Sequence, residues 1–168
     1  NLIYAMTIKH AESNALVGLG DVSEPSKNGS TINVYIANRP PLNEYQQLNS
    51  LKPLYAGEVK MIADQTGNHW RKIFNVYAKF LFALNWKNGS SVYCCWQDYR
   101  DHALLQAGSD TRLLFSKPAS QHSTHELSII MGKTYAVSLG YDPNQIEGMV
   151  WDGTDFAVYP KKKLIVCP

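Results

Sequence analysis

The sequence predicts an α/β domain of three layers, α/β/α, around a mostly parallel central sheet. Three observations carry this. Short apolar segments rich in β-branched residues, of which Thr31-Ile-Asn-Val-Tyr-Ile-Ala37 is the clearest, alternate with longer segments of helical period. Most of the strands are separated by a helix, the pattern of a parallel sheet covered on both faces. The chain has 168 residues, the size of one domain with a sizeable core that needs no disulfide or metal support.

Each element follows in order. Residues 7–30 carry Gly18, Gly20, Pro25 and Gly29 among several Ser and Asn, the composition of loops with at most one short helix around Lys9 to Leu16. Residues 1–30 are therefore assigned to an arm packed on a single domain spanning 31–168. The strand Ile32 to Ala37 runs into Asn38-Arg39-Pro40-Pro41-Leu42, where two prolines delay any helix; Leu42 to Leu48 is a short helix beyond them. Gly57 to Ala63 reads as a second helix broken near Gly67, with Thr66 or Asn68 placed to cap the longest helix of the chain. On that helix Trp70, Ile73, Phe74, Tyr77, Phe80, Leu81 and Leu84 share one face, and Arg71, Lys72, Asn75 and Lys79 lie opposite. Phe82 interrupts the polar face and predicts contact with a second surface.

Ser91 to Cys95 is either a strand or the lead-in to a helix from Trp96 to Ala107 closed by Gly108. Thr111 to Ser116 and Glu126 to Met131 are strands. Gly132 opens a compact helix through Leu139, capped by Gly140 and stopped by Asp142-Pro143. Asp155 to Tyr159 and Lys163 to Cys167 are final strands joined across Pro-Lys-Lys as a hairpin or short crossover. There is no internal repeat, low-complexity tract or linker.

Hydrophobic residues make up 45% and charged residues 18% of the chain, with ten Tyr, five Phe and four Trp, a composition that excludes disorder. A net charge of +2 supplies no overall basic field for nucleic acid, although a local patch is compatible with it. Three cysteines at 94, 95 and 167 make neither a disulfide framework nor a metal-ligand spacing; reduced thiols point to the cytoplasm. No apolar run is long enough for a membrane span and no leader peptide is evident, so no membrane partner is expected. The chain opens with Asn1 and closes at Pro168 directly after an apolar strand, from which a truncated C-terminal end is expected, with part of the site beyond it.

The segment after the first strong strand is the leading candidate site, because ligands of open α/β sheets bind beyond the carboxyl ends of strands. Asn38 offers an amide, Arg39 a guanidinium for phosphate or carboxylate, and Tyr45 an aromatic face. The plainer reading is a rigid turn with Arg39 paired to a surface acid. Gly132-Lys133-Thr134 lacks the upstream glycine of a phosphate loop, since an apolar strand runs right up to Gly132. Anion binding at the helix start by Lys133 and Thr134 survives as a reading, beside a plain tight turn. Asp98 and His102 lie one helical turn apart as a secondary acid–base candidate, against the alternative of a solvated salt-bridged face. His122 and His125 lack a completing ligand set, so no metal is expected, and no cofactor is implied. Cys94 and Cys95 lack a glycine-flanked elbow, and on a strand they would point to opposite faces; packing is preferred over nucleophilic chemistry. Lys161-Lys162-Lys163 faces a phosphate backbone or is simply an exposed turn.

Three segments in order, Ile36-Ala-Asn-Arg-Pro40, Ile129-Ile-Met-Gly-Lys-Thr-Tyr-Ala136 and Leu164-Ile-Val-Cys-Pro168, resemble the uracil-DNA glycosylase superfamily. They stand where that superfamily has its first Asn-Pro or Asp-Pro type loop, a late strand–turn–helix, and a final strand leading to a His-Pro-Ser loop. The departures are Ala37 in place of glycine, Arg39 inserted before Pro40, and no aspartate after the strand. The resemblance implies an α/β/α fold and a nucleic-acid or nucleotide partner: Asn38 holds the base or orients water, Tyr45 stacks on the base, and Arg39 and Lys133 contact phosphates. Without the first-loop carboxylate, a catalytically inert relative that binds nucleotide or nucleic acid stands equal to an active enzyme. A non-enzymatic protein-interaction domain is the alternative, motivated by the aromatic content and Phe82.

Overall fold

In the computed structural model the described residues are 15–25, 30–119, 123–142, 144–153 and 155–168. Eight strands form one sheet: β1 (Gly18–Gly20), β2 (Thr31–Tyr35), β3 (Leu51–Lys52), β4 (Thr111–Leu114), β5 (Glu126–Met131), β6 (Val150–Asp152), β7 (Phe156–Tyr159) and β8 (Leu164–Cys167). The helices are α1 (Asn43–Gln46), α2 (Glu58–Thr66), α3 (Asn68–Ala83), α4 (Gly89–Val92), α5 (Trp96–His102) and α6 (Lys133–Ser138), with 3-10 turns at Trp86–Asn88 and Pro160–Lys162. Strand order is β3-β1-β4-β2-β5-β8-β7-β6. The sheet is mostly parallel: β4, β2, β5 and β8 run together, while β1 meets β4 antiparallel and the β7 and β6 strands add an antiparallel flank.

Every residue of β2 is buried, which fits a strand with parallel neighbours on both sides and a covered surface on both faces. Successive side chains divide between two cores. Val34, Leu113, Ile129 and Ile165 pack with the apolar faces of α2, α3 and α5. Their sequence neighbours Tyr35, Leu114, Ile130 and Val166 belong to a second core with Ala136 of α6 and Met149. The period of two along each strand therefore separates the cores onto opposite faces.

The long helix keeps its expected stripe, with Trp70, Ile73, Phe74, Tyr77, Ala78 and Leu81 buried. Tyr77 points its hydroxyl into the sheet, within 3.1 Å of the Arg112 carbonyl oxygen and 3.3 Å of that of Ile32. Phe82 packs against Tyr99 of α5 at 6.4 Å between ring centroids, which supplies the second surface. Neither expected side-chain cap forms at the start of α3. Its N-cap is Gly67, and the Thr66 hydroxyl donates backward to the Ile62 carbonyl oxygen at 2.7 Å.

Three strands lie where none is predicted: β1 in the supposed arm, β3 and β6. Glycine is usually turn punctuation, so Gly18–Gly20 reads as loop in the sequence. Here it marks close approach of backbones, since a Cβ on Gly18 would lie 2.3 Å from the Leu113 carbonyl oxygen and one on Gly20 2.3 Å from that of Thr111. The helix expected through Ala107 ends at His102, which lets Leu104 and Leu105 turn into the core. Residues 91–95 form no strand; Gly89–Val92 is a single helical turn, followed by extended backbone into α5. The possible helix at Lys9 to Leu16 lies almost wholly outside the described residues.

Gly20 has φ +132°, so Gly20→Ala combines backbone strain with a clash and is expected to cost about 2–4 kcal/mol in urea unfolding. Gly57→Ala, at φ +82° but facing open space, is expected to cost about 1 kcal/mol. Equal losses for the two variants would refute the close-approach reading of β1.

Candidate functional site

Strands β2 and β5 are parallel neighbours whose onward chain packs on opposite faces: after β2 it passes α1 and β3 and then covers one face with α2, α3 and α5 before β4, and after β5 it covers the other with α6 before β6, β7 and β8. That is a topological switch point, where the carboxyl ends of two strands open a crevice. The crevice is present, with a volume of about 660 Å³. The loop after β2 lines it with Ile36, Ala37 and Asn38; α3 contributes His69, Lys72, Ile73 and Val76; the β5–α6 turn contributes Met131, Gly132, Thr134, Tyr135 and Ser138; Pro168 closes it after β8.

Local backbone chemistry aligns these pieces. Gly132 has φ +101°, which a residue with a side chain adopts only under strain, and it turns the chain from β5 into α6. Its N–H donates to the Cys167 carbonyl oxygen at 2.8 Å and its own carbonyl accepts the Ala136 N–H at 2.9 Å. The end of β8 is thereby tied to the start of α6, which sets Pro168 beside Thr134. On the other wall, the buried Ile73 anchors α3, while Lys72 and His69 on the same helix are exposed.

Of the candidates in the sequence, Asn38 and Thr134 meet in this crevice. Lys133, next to Thr134, lays its ammonium 4.2 Å from the centre of the Trp151 ring. Arg39 is turned inward on its own loop: Nη1 donates to the carbonyl oxygens of Gln46 and Leu48, both at 2.8 Å, closing the last turn of α1, and the guanidinium lies 5.5 Å from the Phe115 ring centre. Gln46 Nε2 returns a hydrogen bond to the Pro40 carbonyl oxygen at 2.9 Å. The loop that presents Asn38 is thus cross-braced, and the acid partner anticipated for Arg39 is replaced by backbone carbonyls.

Tyr45 has no exposed surface and lies away from the crevice lining. Its hydroxyl donates to Glu58 Oε1 at 2.8 Å, and Lys52 Nζ reaches the same oxygen at 2.6 Å. Burial, together with the neighbouring Glu58, pushes the Tyr45 phenol far above its ordinary range. Burial also raises the Glu58 carboxyl, but hydrogen bonds from Lys52, the Tyr55 N–H and Tyr45 outweigh it and hold the acid below its ordinary value of 4.5.

Asp98 and His102 do pair, Oδ1 to Nδ1 at 2.8 Å, on α5. Neither lines the crevice; His102 borders a separate hollow with Tyr93 and Tyr99. His122 lies outside the described residues, and among those described no three His, Cys, Asp or Glu side chains converge on a metal position. His69, Tyr135 and Ser138 carry no local signal that marks them for the site, and Lys72 reads in the sequence only as part of a polar helix face. Lys72 and His69 are three residues apart beside the buried Ile73, a spacing that puts both on the α3 edge nearest the sheet ends, but nothing local says which edge that is.

Glu58 gives a pH dependence of definite sign. A carboxyl held low in the folded chain adds stability that is complete above its ordinary value of 4.5 and is lost as pH falls through the lower folded value. The urea midpoint is expected to drop on acidification from about pH 5 to pH 3, and Glu58→Gln, less stable at pH 7, is expected to flatten part of that slope. An unchanged slope in Glu58→Gln would show that the buried acid does not carry the effect.

No curated protein and no solved structure matches the chain, so no glycosylase relative supports the resemblance seen in the three short segments. No described helix is long and apolar enough to cross a membrane. One family model does match, across residues 19–168, nearly the whole of the sheet and all of the crevice. The chain belongs to that family, described as a family of unknown function, DUF6942.

Proposed function

We propose that the switch-point crevice binds a nucleotide or a nucleobase within nucleic acid, in a domain of three α/β/α layers. The observation that carries this is the chemistry gathered in one hollow: an amide at Asn38, a cation at Lys72, an imidazole at His69, hydroxyls at Thr134 and Ser138, and an apolar wall of Ile73, Val76 and Met131. An amide offers both a donor and an acceptor to a base edge. The apolar wall suits a base face, and exposed cations suit phosphate. Lys133 adds positive charge at the rim, while Arg39 and Tyr45 serve by bracing the loop and its surroundings.

No carboxylate or thiol lines the crevice among the described residues. Without a carboxylate, cleavage would rest on Asn38 and His69 alone to orient water and stabilise the departing base, so binding without bond cleavage is expected. Three free cysteines suit the reducing cytoplasm. A protein-interaction role is the second reading, favoured by the apolar hollow of about 170 Å³ beside the crevice, bordered by Val34, Phe80, Ile165 and the half-exposed Phe156.

The test is titration of the chain with nucleotides and short single-stranded oligonucleotides, followed by calorimetry and by release of free base. Salt-sensitive binding without base release is expected, weakened about tenfold or more by Asn38→Ala and by Lys72→Glu, and unchanged in Asp98→Asn. Base release lost in Asn38→Ala would convert the reading to an active glycosylase. Absence of any binding, together with a stable dimer broken by Phe156→Glu, would favour the interaction domain.

A further inference from the structure

Cys94 and Cys95 lie between α4 and α5, with extended backbone at Tyr93 (φ −102°, ψ 141°) and at Cys95 (φ −158°, ψ 167°). Adjacent side chains of a regular strand diverge. Here the two sulfurs stand 3.6 Å apart in a thiol–thiol contact. Both thiols are free, Cys94 exposed and Cys95 half-buried. The pair is also anchored. The Cys94 N–H donates to Asp98 Oδ2 at 3.3 Å, and the Cys95 carbonyl oxygen accepts the Tyr99 N–H at 3.1 Å as the first bond of α5.

We infer that Cys94 and Cys95 form a vicinal dithiol site that captures electrophiles able to bond two sulfurs through a single atom, the class of trivalent arsenicals. Three-coordinate arsenic(III) is pyramidal, and sulfur bonds of about 2.3 Å, close to the zinc–thiolate length, at an angle of roughly 95–105° hold its sulfurs ~3.4–3.6 Å apart. The observed 3.6 Å already meets that span. A disulfide fits less well: it draws the sulfurs to about 2.05 Å, and the roughly 3.8 Å between adjacent Cα atoms is below the usual disulfide span.

The reaction is a condensation with no change in oxidation state. Each thiol gives up its proton, the oxygen of an arsenoso group leaves as water, and two arsenic–sulfur bonds form. Once the first bond exists the second is intramolecular, which multiplies its strength. The Cys95 hydrogen bond and the nearby Asp98 raise the Cys94 thiol above its ordinary range, so neither geometry nor charge activates it as a lone nucleophile. Selectivity therefore comes from chelation. Among the described residues no third His, Cys, Asp or Glu completes a metal-binding group with the pair, which suits a reagent that needs two sulfurs and nothing else. Cys167 is the internal control: half-buried in the apolar hollow, its thiol raised by burial.

The experiment treats the full chain with phenylarsine oxide and reads intact mass and free thiols. One phenylarsenic adduct is expected, with titratable thiols falling from three to one. The adduct should survive excess 2-mercaptoethanol and be removed by 2,3-dimercaptopropanol. Cys94→Ser and Cys95→Ser are each expected to lower the monothiol-resistant adduct at least about tenfold, and Cys167→Ser to leave it intact. A wild-type chain without a monothiol-resistant adduct overturns the inference, as does an adduct that persists in Cys94→Ser. Thiol counting on the wild-type chain decides the matter even if a serine variant fails to fold.

Discussion

Strand β2 is bonded to a parallel neighbour on each side and covered on both faces, and the rest of the molecule is arranged around that confinement. A strand in this position must satisfy its whole backbone through β4 and β5, so its side chains are free to be apolar throughout. With β4 on one side and β5 on the other, β2 also stands where the connections part. One goes to α2, α3 and α5, the other to α6, and the gap between them is the crevice. The reversal in connection, and not the backbone pairing itself, opens the sheet at that point.

Most of the ionic chemistry is spent on holding loops in place around that opening. Arg39 closes α1 on backbone carbonyls, and Glu58 gathers Lys52, Tyr45 and the Tyr55 N–H at the entrance to α2. At the far end, Arg112 Nε and Nη2 donate to the Asp21 and Ser23 carbonyl oxygens at 2.8 and 2.6 Å, seating the segment after β1 against β4. Buried charges that are fully hydrogen-bonded act chiefly as fixtures, because leaving either partner alone is costly. The groups left exposed at the crevice, Asn38, His69, Lys72 and Thr134, are those without such internal duties.

Much of the fold was legible along the chain. The apolar stripe of α3, the strands β2, β4, β5, β7 and β8 and the turn into α6 follow from periodicity and from glycine and proline placement, because each depends on residues close in sequence. Strand β1 was hidden, since two glycines flanking one leucine carry no periodic signal, and only the approach of β4 shows why they are there. Tyr45 and Asn38 are seven residues apart and looked equally available; the tertiary fold buries one entirely and exposes the other.

Read along the chain, the residues alone specify an α/β domain with a proline-stiffened polar loop after its strongest strand, with Asn38 on that loop and Thr134 at the start of a helix after another strand. Hydrophobic period, proline stiffness and glycine freedom are local properties, and they suffice for that. Which strand ends adjoin, that α3 lends Lys72 and His69 to the same hollow, and that Cys94 and Cys95 turn their sulfurs together are set by the folded chain. Strand order and side-chain convergence come from contacts between residues distant along the chain, whose pairing depends on which surfaces bury one another.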